Sequence, residues 1–183
     1  MEHKIDNYLI RIEPDDDPEN PRSWDNLGTM VCFHKRYNLG DKHDYCHGDY
    51  ESWEELEEAI VENENVHTIL PLYLYDHSGI TMNTTGFSCP WDSGRVGFIY
   101  VSKAKVKSQG IDESKVKEYL EEEVETYDQY ITGDVYGYRI FEIKVCDQGC
   151  EHEELIDSCW GYYGEDNCLE EAKSIISHLK QKS

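Results

Sequence analysis

The sequence has little positive charge. Its 183 residues include 17 lysines and arginines against 39 aspartates and glutamates, which gives a formal net charge of -22 at pH 7. A protein that binds nucleic acid directly needs a basic surface to neutralise phosphates, so direct nucleic-acid binding is not expected. The one candidate basic patch consists of Lys103, Lys105, Lys107, Lys115 and Lys117.

Long apolar runs are missing as well. No stretch approaches the ~18 consecutive apolar residues of a membrane-spanning helix. Residues 1–17 lack the apolar segment of a secretory signal, so no association with a membrane is predicted. The seven cysteines, an odd number, are then typical of reduced thiols in a cytoplasm rather than of a disulfide framework.

The common catalytic and phosphate-binding motifs are also absent. Neither G-x-x-x-x-G-K-[ST] nor G-x-G-x-x-G occurs, and the sequence has no G-x-S-x-G nucleophile turn. One thiol alternative stays open, because Cys89 and His77 flank a predicted hairpin-like excursion in which Asp76 or Asp92 could orient the imidazole. The surrounding carboxylates disfavour a thiolate there. The sequence therefore predicts no enzyme, no catalytic residue and no cofactor.

Two clusters of cysteine and histidine have the residue types of a zinc site without its spacing. The clusters are Cys32, His34, His43, Cys46 and His47, and Cys146, Cys150, His152 and Cys159. Structural zinc sites usually show C-x2–4-C and H-x3–5-H spacing, which the first cluster lacks and the second approaches. A polar hairpin tip with reduced thiols explains the second cluster equally well. No metal site is predicted, and zinc binding by the second cluster stays an alternative.

The hydrophobic patterns predict a single α+β domain over residues 1–183. We expect a mainly antiparallel, twisted sheet with about three amphipathic acidic helices. The predicted strands are residues 8–13, 28–34, 67–76, 81–84, 96–101, 135–145 and 154–162, and the predicted helices are residues 52–62, 112–130 and 167–180. Strand 28–34 is expected to pair with strand 8–13, and strand 135–145 to form a hairpin with strand 154–162.

Local signals support particular elements. Ser52 and Glu55 stand at the spacing of a capping box, which marks the start of a helix. Apolar residues in 112–130 recur every three to four positions, as on the buried face of a helix. Pro71 lies within the predicted strand 67–76 and cannot donate a backbone hydrogen bond, so a bulge or an edge position is expected there.

Residues 21–50 (PRSWDNLGTMVCFHKRYNLGDKHDYCHGDY) combine features that ordinary surface loops lack. They contain a tryptophan, two cysteines, three histidines and several basic residues. The glycines and asparagine in the second half predict an ordered loop. We interpret Trp24, Arg36 and Tyr37 as either the packed frame of this loop or a local contact point, and we favour the frame.

Aromatic residues ringed by carboxylates predict a partner-binding surface. Amphipathic rings favour interfaces, and carboxylates pair with the arginines and lysines of a basic groove. The candidate partner-binding residues are Asp15, Asp16, Asp17, Trp24, Asp25, Arg36, Tyr37, Asp41, Asp44 and Asp49. A fully solvated acidic exterior is the plain alternative.

Four stretches of the sequence resemble a family of small phage and mobile-element proteins. They are P-R-x-W-D-N-L-G-x-M-x-C-x-H-x-R-Y-x-L-G-D in residues 21–41, L-P-L-Y and D-H-S-G in 70–79, C-P-W-D-S-G and G-F-I-Y-V in 89–101, and D-S-C-W-G in 157–161. The resemblance covers most of the chain. The family includes proteins that are similar to type II-A anti-CRISPR proteins, which are inhibitors of Cas9.

The resemblance implies a non-enzymatic Cas9 inhibitor in the cytoplasm of a host bacterial cell. Its partner would be Cas9 with guide RNA, whose positively charged channels suit an acidic surface, and it would block DNA binding or cleavage. No catalytic residue carries over. Two alternatives remain, a metal- or thiol-dependent enzyme of a mobile element and an acidic DNA mimic that inhibits another defence protein. A homodimer through an edge formed by Val135–Val145 is a further expectation.

Overall fold

A computed structural model describes residues 1–182 and shows the α+β fold expected from the sequence. The described residues form four α-helices and eight strands in two antiparallel four-stranded sheets. The chain divides into two compact units. Unit 1 comprises Met1–Glu19 and the chain from Gly133 onwards, and unit 2 comprises Asn20–Thr132. The single domain over residues 1–183 stays a prediction.

The elements follow in this order along the chain. The strands are β1 (Glu2–Ile5), β2 (Tyr8–Pro14), β3 (Thr29–Cys32), β4 (Val66–Asp76), β5 (Ile80–Asn83), β6 (Ser93–Ser102), β7 (Val135–Val145) and β8 (Glu151–Tyr163). The helices are α1 (Trp53–Glu64), α2 (Lys103–Gln109), α3 (Val116–Thr132) and α4 (Glu165–Lys182). None of the helices in the described residues is long and apolar enough to cross a membrane.

Unit 1 is one sheet with a helix packed on one face. Its strands lie in the order β1-β2-β7-β8, and the predicted hairpin of β7 with β8 is confirmed. Alternation along β2 places Tyr8, Ile10 and Ile12 on the buried face. There they pack against Ala172 and Ile176 of α4, so burial of apolar area holds the helix on the sheet.

The expected edge at Val135–Val145 is wrong, because β7 pairs with β2 on one side and with β8 on the other. In the described part of unit 1, β8 is the outer strand beside β7. It carries register shifts opposite Tyr136/Tyr138 and Ile140/Phe141, and several of its side chains are carboxylates. Bulges and like charges both oppose pairing with a second copy. The homodimer stays a prediction without a defined surface.

Unit 2 holds the other sheet, with strand order β3-β6-β4-β5. The expected pairing of strand 28–34 with strand 8–13 is wrong, because β3 pairs with β6 and both sides of β2 are occupied by β1 and β7. Hydrophobic pattern identifies a strand but carries no information on which distant strand it joins. Pro71 lies where β4 pairs only with β6, which confirms the expected edge position.

The core of unit 2 lies on both faces of its sheet. On one face, Leu120 and Val124 of α3 pack with Ile99 of β6. On the other face, Leu56 and Ile60 of α1 pack with β6 and its neighbours. The helices therefore cover opposite faces, which explains why β6 is apolar along its whole centre.

Two elements escaped prediction, β1 and α2. Helix α2 is seven residues long and buries only Val106, so its apolar pattern is too short to recognise. The Ser102 side chain accepts a hydrogen bond from the Lys105 backbone N–H at 3.3 Å, and Gly110 ends the helix at a φ of 65°. The candidate basic patch thus begins on α2, and the helix count is four rather than about three.

Candidate interaction surface and ligand cleft

A buried arginine organises the stretch 21–50. The side chain of Arg22 is 4% exposed and binds Asp41 through two hydrogen bonds, from Nε to Oδ1 at 3.0 Å and from Nη2 to Oδ2 at 2.6 Å. Its Nη1 lies 3.1 Å from Oε2 of Glu123 on α3, and its Nη2 donates to the Gly28 carbonyl at 2.7 Å. A planar guanidinium is the side chain suited to such a bidentate contact.

The two carboxylates of this network also hold backbone. Asp41 accepts from the Met30 N–H at 2.7 Å, and Glu123 accepts from the N–H groups of Leu27 and Gly28. Burial lowers the pKa of Arg22, but hydrogen bonds and attraction to Asp41 and Glu123 outweigh burial and raise it. The network pins the loop before β3 to α3. Sequence reasoning missed Arg22 and Glu123, because they lie 101 residues apart.

The ten predicted partner-binding residues are distributed over both units. Asp15, Asp16 and Asp17 lie in unit 1, and the other seven lie in unit 2. Asp15 is engaged within its own unit, since Oδ1 accepts from the Asp17 N–H and Oδ2 from the Gly161 N–H, each at 3.1 Å. Asp41 belongs to the buried network described above. The exposed members are Asp16, Asp17, Trp24, Asp25, Arg36, Tyr37, Asp44 and Asp49.

The open cleft of unit 2 contains two of the predicted residues, Arg36 and Tyr37. It has a volume of about 930 Å³ and is lined by residues 32–39, by His47 and Trp53, and by parts of β4, β6 and the loop before β6. Arg36 Nη2 pairs with the Asp76 carboxylate, and Tyr37 stacks on His34 at a ring separation of 5.0 Å. Residues 32–39, which belong to the sequence stretch 21–41, therefore lie in one cleft with residues 91–94, which belong to the motif C-P-W-D-S-G.

Arg36 contributes little to the frame of the loop. Its side chain is 65% exposed, and an ion pair of that exposure is worth about 0–1 kcal/mol. The 4% exposed Arg22 makes the contacts that a frame requires. Arg36 is therefore better suited to contact a ligand or partner than to hold the fold.

Cys89 and His77, the nucleophile and base of the thiol alternative, make no hydrogen bond with each other in the described residues. The Cys89 Sγ lies 3.8 Å from Asp92 Oδ2, and His77 Nδ1 lies 3.5 Å from the same oxygen. Both groups thus face the carboxylate that was expected only to orient the imidazole. A catalytic thiol needs a base or a positive field beside the sulfur.

Neither cysteine and histidine cluster forms a group with metal-site geometry in the described residues. In the first cluster, Cys32 is buried and His43 Nε2 lies 3.1 Å from the Cys32 carbonyl oxygen. In the second cluster, Cys146 and Cys150 are the ends of the β7–β8 turn, where the Cys150 N–H donates to the Cys146 Sγ at 3.3 Å.

The cysteines should differ sharply in reactivity. Hydrogen bonds from the backbone N–H groups of Gln148 and Cys150 lower the pKa of Cys146, whereas burial raises the pKa of Cys32 to about 12 and that of Cys168 to about 11. Only a thiolate is alkylated, so iodoacetamide at neutral pH should label Cys146 first and these two buried thiols last. Mass spectrometry of timed digests measures the order. In denaturant the differences should vanish, and equal rates in the folded protein would contradict the assignment.

Helix α1 and the residues before it form the acidic segment, residues 44–64. The helix WEELEEAIVENE contains six glutamates and no lysine, arginine or histidine. Asp44, Asp49 and Glu51 precede it and are exposed. No lysine or arginine occurs anywhere from residue 43 to residue 94. Within the described residues, no cation lies within ion-pair distance of Glu55, and the same is true of Glu58 and Glu62.

The charge of α1 opposes its own stability at one end. Ser52 caps the N-terminus, where its Oγ accepts from the Glu55 N–H at 3.2 Å, and carboxylates in this first turn are favourable. The last turn carries Glu62 and Glu64, although the C-terminal end of a helix favours cations. The buried residues Leu56 and Ile60 pack this helix on the sheet, and the partly buried Trp53 packs beside them. A cationic partner would relieve the unfavourable charge.

No protein-family model, no curated protein and no solved structure matches the chain. The features of the chain that bear on its function are the acidic segment, the cleft and the net charge of -22.

Proposed function

We propose that the chain is a non-enzymatic inhibitor that binds guide-loaded Cas9 in the cytoplasm of a host bacterial cell, using the acidic segment. The observation that carries the proposal is helix α1, where Glu55, Glu58 and Glu62 have no cation within ion-pair distance among the described residues and where Glu62 and Glu64 lie at the end of the helix that favours cations. A surface of this kind is stabilised when it meets fixed positive charge.

The geometry of α1 suits a groove built for phosphates. Glu55, Glu58 and Glu62 are exposed and lie three and four positions apart on the helix, so they share one face. A helix rises 1.5 Å per residue, which sets these charges about 4.5 and 6 Å apart along the axis. The acidic segment therefore presents a regular row of negative charge, as a nucleic-acid strand does.

Cas9 offers the complementary surface. It holds its guide and target in positively charged channels and contacts them mainly through the backbone, without reading their sequence. An acidic protein is attracted to such channels over a distance set by the Debye length, about 8 Å at physiological salt. We place the acidic segment in the path of the target DNA, so that the inhibitor blocks DNA binding and thereby cleavage.

Charge neutralisation on α1 should weaken binding to guide-loaded Cas9. The triple variant Glu55→Gln, Glu58→Gln, Glu62→Gln keeps the side-chain size and removes three charges. We expect the dissociation constant to rise about tenfold, since electrostatic complementarity governs such contacts. Biolayer interferometry with immobilised Cas9–guide complex measures it.

A matched variant on α4 distinguishes the effect of the acidic segment on binding from the effect of the net charge of the whole chain. Asp166→Asn, Glu170→Gln, Glu171→Gln removes three charges from exposed positions of unit 1. Binding should fall much less than for the α1 variant. Equal losses would show that total charge acts and that the acidic segment is not the contact face.

A DNA-mimic inhibitor of another defence protein would use the same row of charge. Affinity capture from a bacterial lysate that contains Cas9 distinguishes the two targets. Recovery of Cas9 in an α1-dependent manner supports the proposal. Recovery of a different DNA-binding protein, with Cas9 left in the flow-through, would contradict it.

A further inference from the structure

We propose that the cleft of unit 2 binds a planar aromatic ring that carries an anionic group, the chemistry of a nucleotide. Trp91 and Tyr37 would hold the ring and Arg95 the phosphate. The residues that line the cleft do not include Glu55, Glu58 or Glu62, and the proposal does not depend on Cas9. The volume of about 930 Å³ falls within the range of about 300–1,000 Å³ typical of small-molecule sites.

Trp91 supplies an aromatic surface that is almost entirely exposed to solvent. It lines the cleft from the loop before β6 and is 91% exposed. Tyr37 lines the cleft from residues 32–39, is 37% exposed, and stacks at 17° on His34. A large ring left in water at the mouth of a cleft is a surface on which a second ring stacks favourably.

Arg95 supplies a positioned cation without a strong partner. Its guanidinium lies over the rings of Phe98 and Tyr73, with the carbon Cζ 5.4 and 5.5 Å from the ring centroids, and Nη2 donates to the Tyr73 hydroxyl at 3.2 Å. The one carboxylate within ion-pair distance among the described residues is Glu54, 3.9 Å away. The side chain is 22% exposed, so it is held in place yet accessible. A planar guanidinium that is held in place, accessible and without a strong ion-pair partner is suited to bind phosphate.

The two carboxylates of the cleft do not cancel this charge. Asp76 is paired with Arg36, and its Oδ2 is 3.7 Å from His34 Nε2. Asp92 lies beside His77. Arg95 and the exposed Lys35 therefore leave the cleft locally favourable for an anion, in a chain whose net charge is -22.

The charge of the whole chain limits how many phosphates the ligand carries. A long polyphosphate chain meets repulsion from the surrounding carboxylates, whereas a single nucleotide brings one or two charges to Arg95. The nucleotide can be free or an unpaired nucleotide of a single strand. Both present the same ring and phosphate to the cleft.

Isothermal titration calorimetry of the full chain with AMP, GMP, CMP and UMP tests the proposal. Adenosine and inorganic phosphate serve as probes that lack the phosphate or the ring. We expect saturable binding of at least one nucleotide and weaker binding of adenosine and of phosphate. A short single-stranded oligonucleotide is titrated in parallel to distinguish the two sources of the ligand. If the oligonucleotide binds more tightly than the mononucleotide, the ligand is an unpaired nucleotide of a single strand. If it binds more weakly, the ligand is the free nucleotide.

Two variants test the assigned residues. Trp91→Ala removes a ring that is almost fully in solvent, so the fold is retained, and nucleotide affinity should fall roughly 5- to 150-fold. Arg95→Gln should bring the affinity for AMP down to that for adenosine. Trp24→Ala is the control, because Trp24 is the other exposed tryptophan of unit 2 and lies outside this cleft. No saturable binding to the native chain, or binding that Trp91→Ala leaves unchanged, would overturn the proposal.

Discussion

Replacing Arg22 by alanine is expected to lower the free energy of unfolding by about 3–5 kcal/mol, the cost of breaking a buried ion pair from one side. The guanidinium is 4% exposed and contacts Asp41, Glu123 and the Gly28 carbonyl. Its loss leaves two carboxylates, 21% and 16% exposed, without the cation that pairs with both. Urea denaturation followed by tryptophan fluorescence measures the change.

Two further variants show whether the network is the cause. Arg22→Lys keeps the charge but cannot make the bidentate contact with Asp41, so an intermediate loss is expected. Arg139→Ala removes an exposed pair of unit 1, Arg139 to Glu13 at 2.9 Å, and should cost at most about 1 kcal/mol. If Arg22→Ala cost no more than Arg139→Ala, the loop 21–41 would not be held by this network.

Replacing Gly97 by alanine should destabilise unit 2 by about 3 kcal/mol, the upper end of the usual cost of overpacking. Gly97 lies in β6 opposite Cys32 of β3, and a Cβ atom there would be 1.9 Å from the Val31 carbonyl oxygen. That oxygen belongs to the backbone and can move only if β3 shifts away from β6. Both strands contribute to the cleft, so its shape should change as well.

Gly94 provides the matched control on the same strand. A Cβ atom at Gly94 meets nothing within 4 Å, so Gly94→Ala adds the same methyl group without a clash. We expect its free energy of unfolding to stay equal or to rise, because alanine loses less backbone entropy than glycine on folding. Similar losses for the two variants, measured by urea denaturation, would contradict the close approach of β3 to β6.

Local patterns predicted local structure well. The capping-box spacing of Ser52 and Glu55 marked the start of α1, and the recurrence of apolar residues in 112–130 identified the buried face of α3, which includes Leu120 and Val124. The β7–β8 hairpin followed from two adjacent strand patterns. Each of these features is encoded within a few neighbouring residues.

Contacts between distant segments were not predictable in the same way. The partner of β3 depends on the space that Gly97 leaves, and the role of Arg22 depends on Glu123, which lies on α3. The cleft combines residues 32–39 with the loop before β6, two stretches that each stood out in the sequence. The residue types of both stretches could be read from the sequence, but the sequence did not show that the two stretches lie next to each other in the fold.

The most direct test of the Cas9 proposal is a cleavage assay with purified components. Cas9, guide RNA and target DNA are combined with increasing amounts of the native chain, at low and at raised salt. The proposal predicts that cleavage stops near stoichiometric amounts of the chain and that inhibition weakens as salt screens the acidic segment. Unimpeded cleavage at a several-fold excess of the chain, at every salt concentration, would contradict it.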